Sequence, residues 1–151
     1  MRTLRSKRTM RMGQRAAQAI TGGRWFQPGQ NLPTAELVIN GAFATDTDWT
    51  KGTGWTIAGG VAVGAAGSLS ALTPTAPVLL TQGNRYRAIF DIVALTAGGV
   101  AANVGATIGT LRTTAGHFEE IITAGAASAL ILDKDAAFSG SVDNFSVREV
   151  L

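Results

Sequence analysis

The chain has 151 residues, 46% of them hydrophobic and only 15% charged, which is enough apolar material for one folded domain and too much for a disordered protein. It contains no cysteine, so disulfides, thiolate metal sites and cysteine nucleophiles are excluded. The net charge of +3 is split: residues 1–24 carry Arg2, Arg5, Lys7, Arg8, Arg11, Arg15 and Arg24 with no acid, an arm of +7 joined to a body of −4.

In chain order the arm comes first. Its cations recur too often to leave the apolar stretch of a secretory signal, and the longest apolar runs, such as residues 126–132, fall far short of the roughly 20 residues that cross a bilayer. No membrane partner is expected. Residues 12–20 predict one short helix, because Gln, Arg and Ala favour it and Gly22-Gly23 would end it, but it is too short to be stable alone. Residues 24–33 read as an extended, turning linker containing Pro28-Gly29 and Pro33. Trp25 and Phe26, adjacent within that linker, would form an adhesive patch if exposed and are expected to be buried against the body, another subunit or a partner. The arm and linker are assigned to residues 1–35 and the folded body to residues 36–151.

From Glu36 onwards short apolar runs alternate with Gly, Asn, Asp and Thr, the pattern of an all-β sandwich or barrel. Strands are predicted at 36–40, 55–57, 61–64, 68–72, 78–82, 86–95, 100–104, 107–113, 118–123, 129–133 and 140–147. Alternation is clearest where Tyr86, Ala88, Phe90 and Ile92 fall on one face and Arg85, Arg87 and Asp91 on the other, giving a buried side and a wet side. Gln82-Gly83-Asn84 and Ala97-Gly98-Gly99 supply the turns around that strand. No fixed-period repeat is present.

Three stretches together carry a resemblance. Glu36 to Phe43, followed by Trp49-Thr50 and Gly54-Trp55, is similar to the opening of jelly-roll carbohydrate-binding modules, where an N-G-x-F turn leads to a G-W pair. Gln82 to Asp91 resembles the central G-x-x-Y-x-x-x-F strand of those modules, and Gly140 to Val147, with Asp143-Asn144, looks like their closing strand. The resemblance covers about Glu36 to Leu151 and implies an antiparallel jelly-roll β-sandwich. Such modules occur in glycan-degrading enzymes and as exposed domains of tailed-bacteriophage structural proteins; a single module with a basic arm and no catalytic domain resembles the latter. Members often hold a structural calcium between an acidic residue after the first strand and the aspartate of the last. Here that turn reads Asn40-Gly41-Ala42-Phe43-Ala44, so Asp143 alone would serve an ion that needs about six to eight oxygen ligands, and no cofactor is expected.

Catalysis needs a converging set of titratable groups, and the sole histidine, His117, reads as a surface residue in a turn leading into a strand. Glu119 and Glu120 are adjacent on a strand and point to opposite faces. Asp133 and Asp135 read as parts of a solvated loop, although paired carboxylates about 5–10 Å apart are what a glycosidase would use. The chain is therefore expected not to be an enzyme. Sugar binding calls for a flat aromatic face; Trp55 and Tyr86 are expected in the core, which leaves Trp49, with Asp46 and Asp48 in its polar loop, as the candidate glycan contact.

The arm would attract nucleic-acid phosphates, but no aromatic is interleaved before Trp25 for base stacking, and Leu4, Met10, Met12 and Ile20 offer apolar pegs for a protein surface. The expectation is a capsid decoration or head-fibre-like virion protein, held by Arg2, Arg5, Lys7, Arg8, Arg11, Arg15, Arg24, Trp25 and Phe26 to major capsid or connector proteins. Self-association and contact with host glycans are part of that expectation. The alternatives are a free carbohydrate-binding module and a small jelly-roll capsid protein whose arm binds the packaged genome.

Overall fold

The computed structural model describes residues 33–126 and 129–151, and every regular element among them is a β-strand. The strands are β1 (Pro33–Glu36), β2 (Trp49–Lys51), β3 (Trp55–Ala58), β4 (Val61–Gly64), β5 (Ser70–Pro74), β6 (Arg85–Ala97), β7 (Val100–Val104), β8 (Thr107–Ile108), β9 (Gly116–Thr123), β10 (Leu130–Lys134) and β11 (Ser139–Val150). They build a six-stranded sheet, ordered β3-β4-β11-β6-β9 with β1 also on β11, and a five-stranded sheet, ordered β2-β5-β10-β7-β8. Pairing is antiparallel throughout. The body is the expected all-β sandwich.

Its core follows from alternation. In β6 Tyr86, Ala88, Phe90 and Ile92 are buried and meet Leu72, Val100, Ala102, Leu130 and Leu132 of the other sheet in one apolar cluster. Trp55 and Tyr86 belong to that core, as expected. Tyr86 keeps its hydroxyl satisfied by accepting the Thr81 N–H at 2.8 Å, so a large ring is buried without stranding its polar end.

One edge of β11 lies along β6, and its other edge is shared: Gly140–Val142 pair with β4, whereas Arg148 and Val150 pair with β1. Between those two partners β11 carries a bulge, because Asp143 faces Asp91 and Ser146 faces Ile89. Asn144, at φ 53°, supplies the left-handed residue that the bulge needs.

Several expectations are corrected. The first strand is Pro33–Glu36 and not 36–40, so the sheet begins inside the stretch assigned to the linker; the chain then bends, and Asn40 has φ 53°. Residues 78–82 alternate correctly, with Leu79 exposed and Val78 and Leu80 packed on the core, yet form no strand because no neighbour offers them a ladder. The 107–113 strand shrinks to β8 plus an isolated bridge between Arg112 and Val100. Strand β2 had no sequence signal beyond three residues flanked by polar ones. The short helix at 12–20 and the anchoring residues Arg2, Arg5, Lys7, Arg8, Arg11, Arg15, Arg24, Trp25 and Phe26 lie outside the described residues.

Candidate functional site

The motif residues come together, and what they do is structural. The Asn40-Gly41 turn sits against the β11 bulge: Phe145 N–H donates to Gly41 O at 2.9 Å. A side chain at position 41 would meet Phe145 O at 1.9 Å, so only glycine allows this approach. Phe43 stacks on Trp49 with centroids 5.2 Å apart, and Trp49 on Phe145 at 6.1 Å. Asn40 ties off the loop by donating from Nδ2 to Thr45 O and Thr47 O.

Trp49 overturns the expectation of an exposed sugar platform. It is only 5% exposed, and its indole N–H donates to Asn40 O at 3.0 Å. Polar loop residues before it suggested exposure, but β2 turns the ring inward between Phe43 and Phe145. Asp46 stays at the surface paired with Lys51, and Asp48, at φ 67°, accepts the Thr47 hydroxyl. Among the described residues neither carboxylate has an exposed aromatic face beside it to complete the glycan contact.

Asp143, the one carboxylate expected to serve an ion, is engaged locally. Its Oδ1 accepts the N–H of Asn144 at 2.7 Å, and among the described residues no group of three carboxylate or histidine side chains converges on a point.

The wet face of the six-stranded sheet carries a chain of polar contacts set by register. Asp91 stands opposite both His117 and Asp143. Its Oδ1 lies 2.5 Å from His117 Nδ1, and its Oδ2 accepts from Asn144 Nδ2 at 2.8 Å. The Asn144 hydrogen bond holds the Asp91 carboxyl below its ordinary range, against the opposing effect of partial burial and with help from His117. Sequence reading missed this His–Asp pair, since the partners are 26 residues apart and meet only through the β6–β9 register. Orienting a histidine is half of an acyl-transfer site; among the described residues no hydroxyl hydrogen-bonds to His117, whose side chain is 64% exposed. Glu119 and Glu120 diverge as expected. The former pairs with Arg87 on the wet face, while the latter accepts Thr110 N–H and pairs with Arg112.

The outer face of the five-stranded sheet offers a different kind of surface. Asp133 stands in register with Ala71 on one side and Ala101 on the other, so one carboxylate rises between two methyl groups. The gap left by those small residues is a hollow of about 470 Å³, walled by Leu69, Ile108 and Leu111 and reached by Asp135. Two register rows along, opposite Ile131, lies Asn103, 7% exposed, whose Nδ2 donates to Asp133 Oδ2 at 2.8 Å. Lys134, between the two aspartates, turns the other way: it is 1% exposed and its ammonium donates to Ala65 O and Ser68 O. Asp133 is thus in strand β10 and not in a loop, whereas Asp135 lies beyond its end, opening the turn with the exposed Ala136 and Ala137. Asp133 is the penultimate residue of β10, and both residues line the hollow.

No protein-family model matches this chain, and no curated protein does either. The candidate surfaces therefore rest on their own geometry: a polar sheet face with a surface His–Asp pair, and an aliphatic hollow with carboxylates in its floor.

Proposed function

We propose that this protein is a non-enzymatic attachment protein of a tailed-phage virion, a decoration or head-fibre-like component. Its basic arm binds major capsid or connector proteins, and its β-sandwich faces outward. The separation of charge carries this reading. Seven cations without an acid lie in residues 1–24, whereas the body has a net charge of −4. Of the six cations of the body, Lys51, Arg87, Arg112 and Arg148 each pair with a carboxylate and the Lys134 ammonium is bound by carbonyls, which leaves Arg85 without an ion pair among the described residues. Cations for an external acidic surface are therefore concentrated in the arm, which also carries Leu4, Met10 and Met12 for apolar contact.

The test is co-sedimentation with particles of the phage whose genome encodes the chain. The full chain is compared with one in which Arg2, Arg5, Lys7, Arg8, Arg11 and Arg15 are all replaced by Gln. The natural chain should sediment with DNA-free capsids, and the neutralised chain should bind at least about tenfold more weakly, since each surface charge contributes on the order of 1 kcal/mol at most. Equal binding by both chains would refute arm-mediated anchoring. Binding to naked DNA but not to empty capsids would instead favour a genome-binding arm.

A further inference from the structure

We infer that the stretch between β5 and β6 is a self-docking surface, where residues 78–80 of one copy pair antiparallel with the same residues of a second copy. The inference does not rest on the arm. Its first support is the main chain. In residues 76–80 no N–H and no carbonyl bonds to any described residue, although the run alternates as a strand does: Val78 and Leu80 pack on the core, and Leu79 is 86% exposed. An unladdered strand edge is a template for another strand. The free run is bounded on both sides, because Pro77 has no N–H to give and the Thr81 N–H is already donated to the Tyr86 hydroxyl at 2.8 Å.

An independent observation is the recess beside that run. It has a volume of about 280 Å³ and is lined by Leu37, Ile39, Pro74, Pro77, Val78 and Leu79, with Asp48 the one charged residue on its wall among the described residues. Leu79 is the most exposed large apolar side chain of the described residues, and Ile39, which shares the recess, is 59% exposed. What would cover such a patch is an apolar side chain carried on a strand with free main-chain groups. The patch presents that element itself, as Leu79. A surface that supplies what it needs is the condition for a two-fold interface between identical chains.

Register follows from the symmetry. Antiparallel pairing centred on Leu79 sets Val78 of one copy opposite the partner's Leu80 and brings the two Leu79 side chains to Cβ separations of about 4.5–5.5 Å, over the mouths of both recesses. The contact closes at two copies, because both spend the same edge. No aromatic side chain lines the recess to stack on a sugar, and its one charge is negative, which disfavours a phosphate backbone. The surface is small. Its eight lining residues fall short of the roughly 20–30 a side of a stable interface, so the dimer is weak and depends on concentration.

The experiment is sedimentation equilibrium of the full chain over about 1 μM to 1 mM, read alongside amide hydrogen exchange. The natural chain should pass from monomer to dimer across that range, and the Val78, Leu79 and Leu80 amides should exchange at least about tenfold more slowly in the dimer. Leu79→Lys, an exposed change that leaves the core intact, opposes two like charges across the two-fold and should weaken dimerisation at least about tenfold. Leu79→Glu should do the same, and an equimolar mixture of the two variant chains should dimerise again, because unlike charges then face each other. Leu69→Lys, at an exposed position away from the recess, should leave dimerisation as it is. The inference fails if the natural chain stays monomeric to about 1 mM, or if Leu79→Lys with a native spectrum associates undiminished. It fails equally if the two variant chains do not pair when mixed, or if Leu69→Lys weakens the dimer as much as Leu79→Lys does. A monomer whose 78–80 amides are nonetheless protected would give the run to another strand and overturn the second copy as its occupant. All of these chains keep the arm cations and none of the readouts uses a capsid, so failure here leaves the anchoring proposal untouched.

Discussion

At the residue scale, Glu36 shows how one carboxylate replaces a stretch of ladder. Strand β1 ends at this residue, and its carboxylate accepts Ser146 Oγ at 2.5 Å, Val147 N–H at 2.8 Å, Val38 N–H at 3.1 Å and Arg148 Nε at 3.0 Å. Partial burial, the largest single influence, pushes its pKa up, but these donors together outweigh it and hold the group below its ordinary 4.5. A depressed folded-state value means that the ionised carboxylate stabilises the fold at neutral pH, and that this contribution is lost as pH falls below the ordinary glutamate value and through the folded one. Glu36→Gln should cost about 1–2 kcal/mol at pH 7, the low end for charge-assisted hydrogen bonds because the side chain is partly exposed. In urea melts across pH, the gap between natural and variant protein should close on acidification below the ordinary 4.5 of Glu36. A gap constant from pH 7 to pH 2 would mean that the ionised form adds nothing.

At the scale of elements, the bulge in β11 decides more than any single strand does. It lets one strand serve β4 and β1 in succession along the same edge and opens the space that the Asn40-Gly41 turn fills. Asn144 makes it possible through its left-handed backbone and its bond to Asp91. Asn144→Ala should therefore lose about 1–2 kcal/mol from backbone strain alone, whereas Asn144→Gly keeps the backbone relaxed and loses chiefly the side-chain bond, about 0.5–1.5 kcal/mol. Thermal melts of the two variants check this: an alanine variant at least as stable as the glycine one would show that the left-handed residue carries no strain. The same region marks the limit of what was legible in sequence. Strands β4 and β7 were readable to the residue because each is a short apolar run opened by a pair of glycines. Asp143-Asn144 and Asn40-Gly41 were visible as motifs, but their meeting was not, since it depends on which strands flank β11. Trp49 was misread for a related reason: local polarity describes the loop, while the direction of the ring is fixed by pairing of β2 with β5. The hollow escaped because Ala71, Ala101 and Asp133 are ordinary residues until register aligns them.

On the scale of the whole molecule, the question is whether the two sheets stand or fall together. The buried layer is made by both. Trp55, Tyr86, Phe90, Val142 and Phe145 come from the six-stranded sheet, and Trp49, Leu72, Ala102, Leu130 and Leu132 from the five-stranded one. Loop residues such as Phe43 and Phe138 join this layer, but most of each inner face is covered by the other sheet, so separating them would expose much of both, and a sheet with a bare apolar face is not stable in water. Leu132, fully buried in the central strand β10, is the place to probe this coupling. Leu132→Ala should remove about 2–5 kcal/mol, the transfer term plus the cavity left in a packed layer. Because the loss is shared, hydrogen-exchange protection should drop by the same factor at Ala88 and Phe90 in the opposite sheet as at Ala102 beside the substitution. The denaturant midpoint should fall without a change in slope, since the surface exposed on unfolding is unchanged. Protection lost at Ala102 but retained at Ala88 would mean that the six-stranded sheet, with β11 and its bulge at the centre, persists alone, and that the body is two units in contact and not one cooperative sandwich.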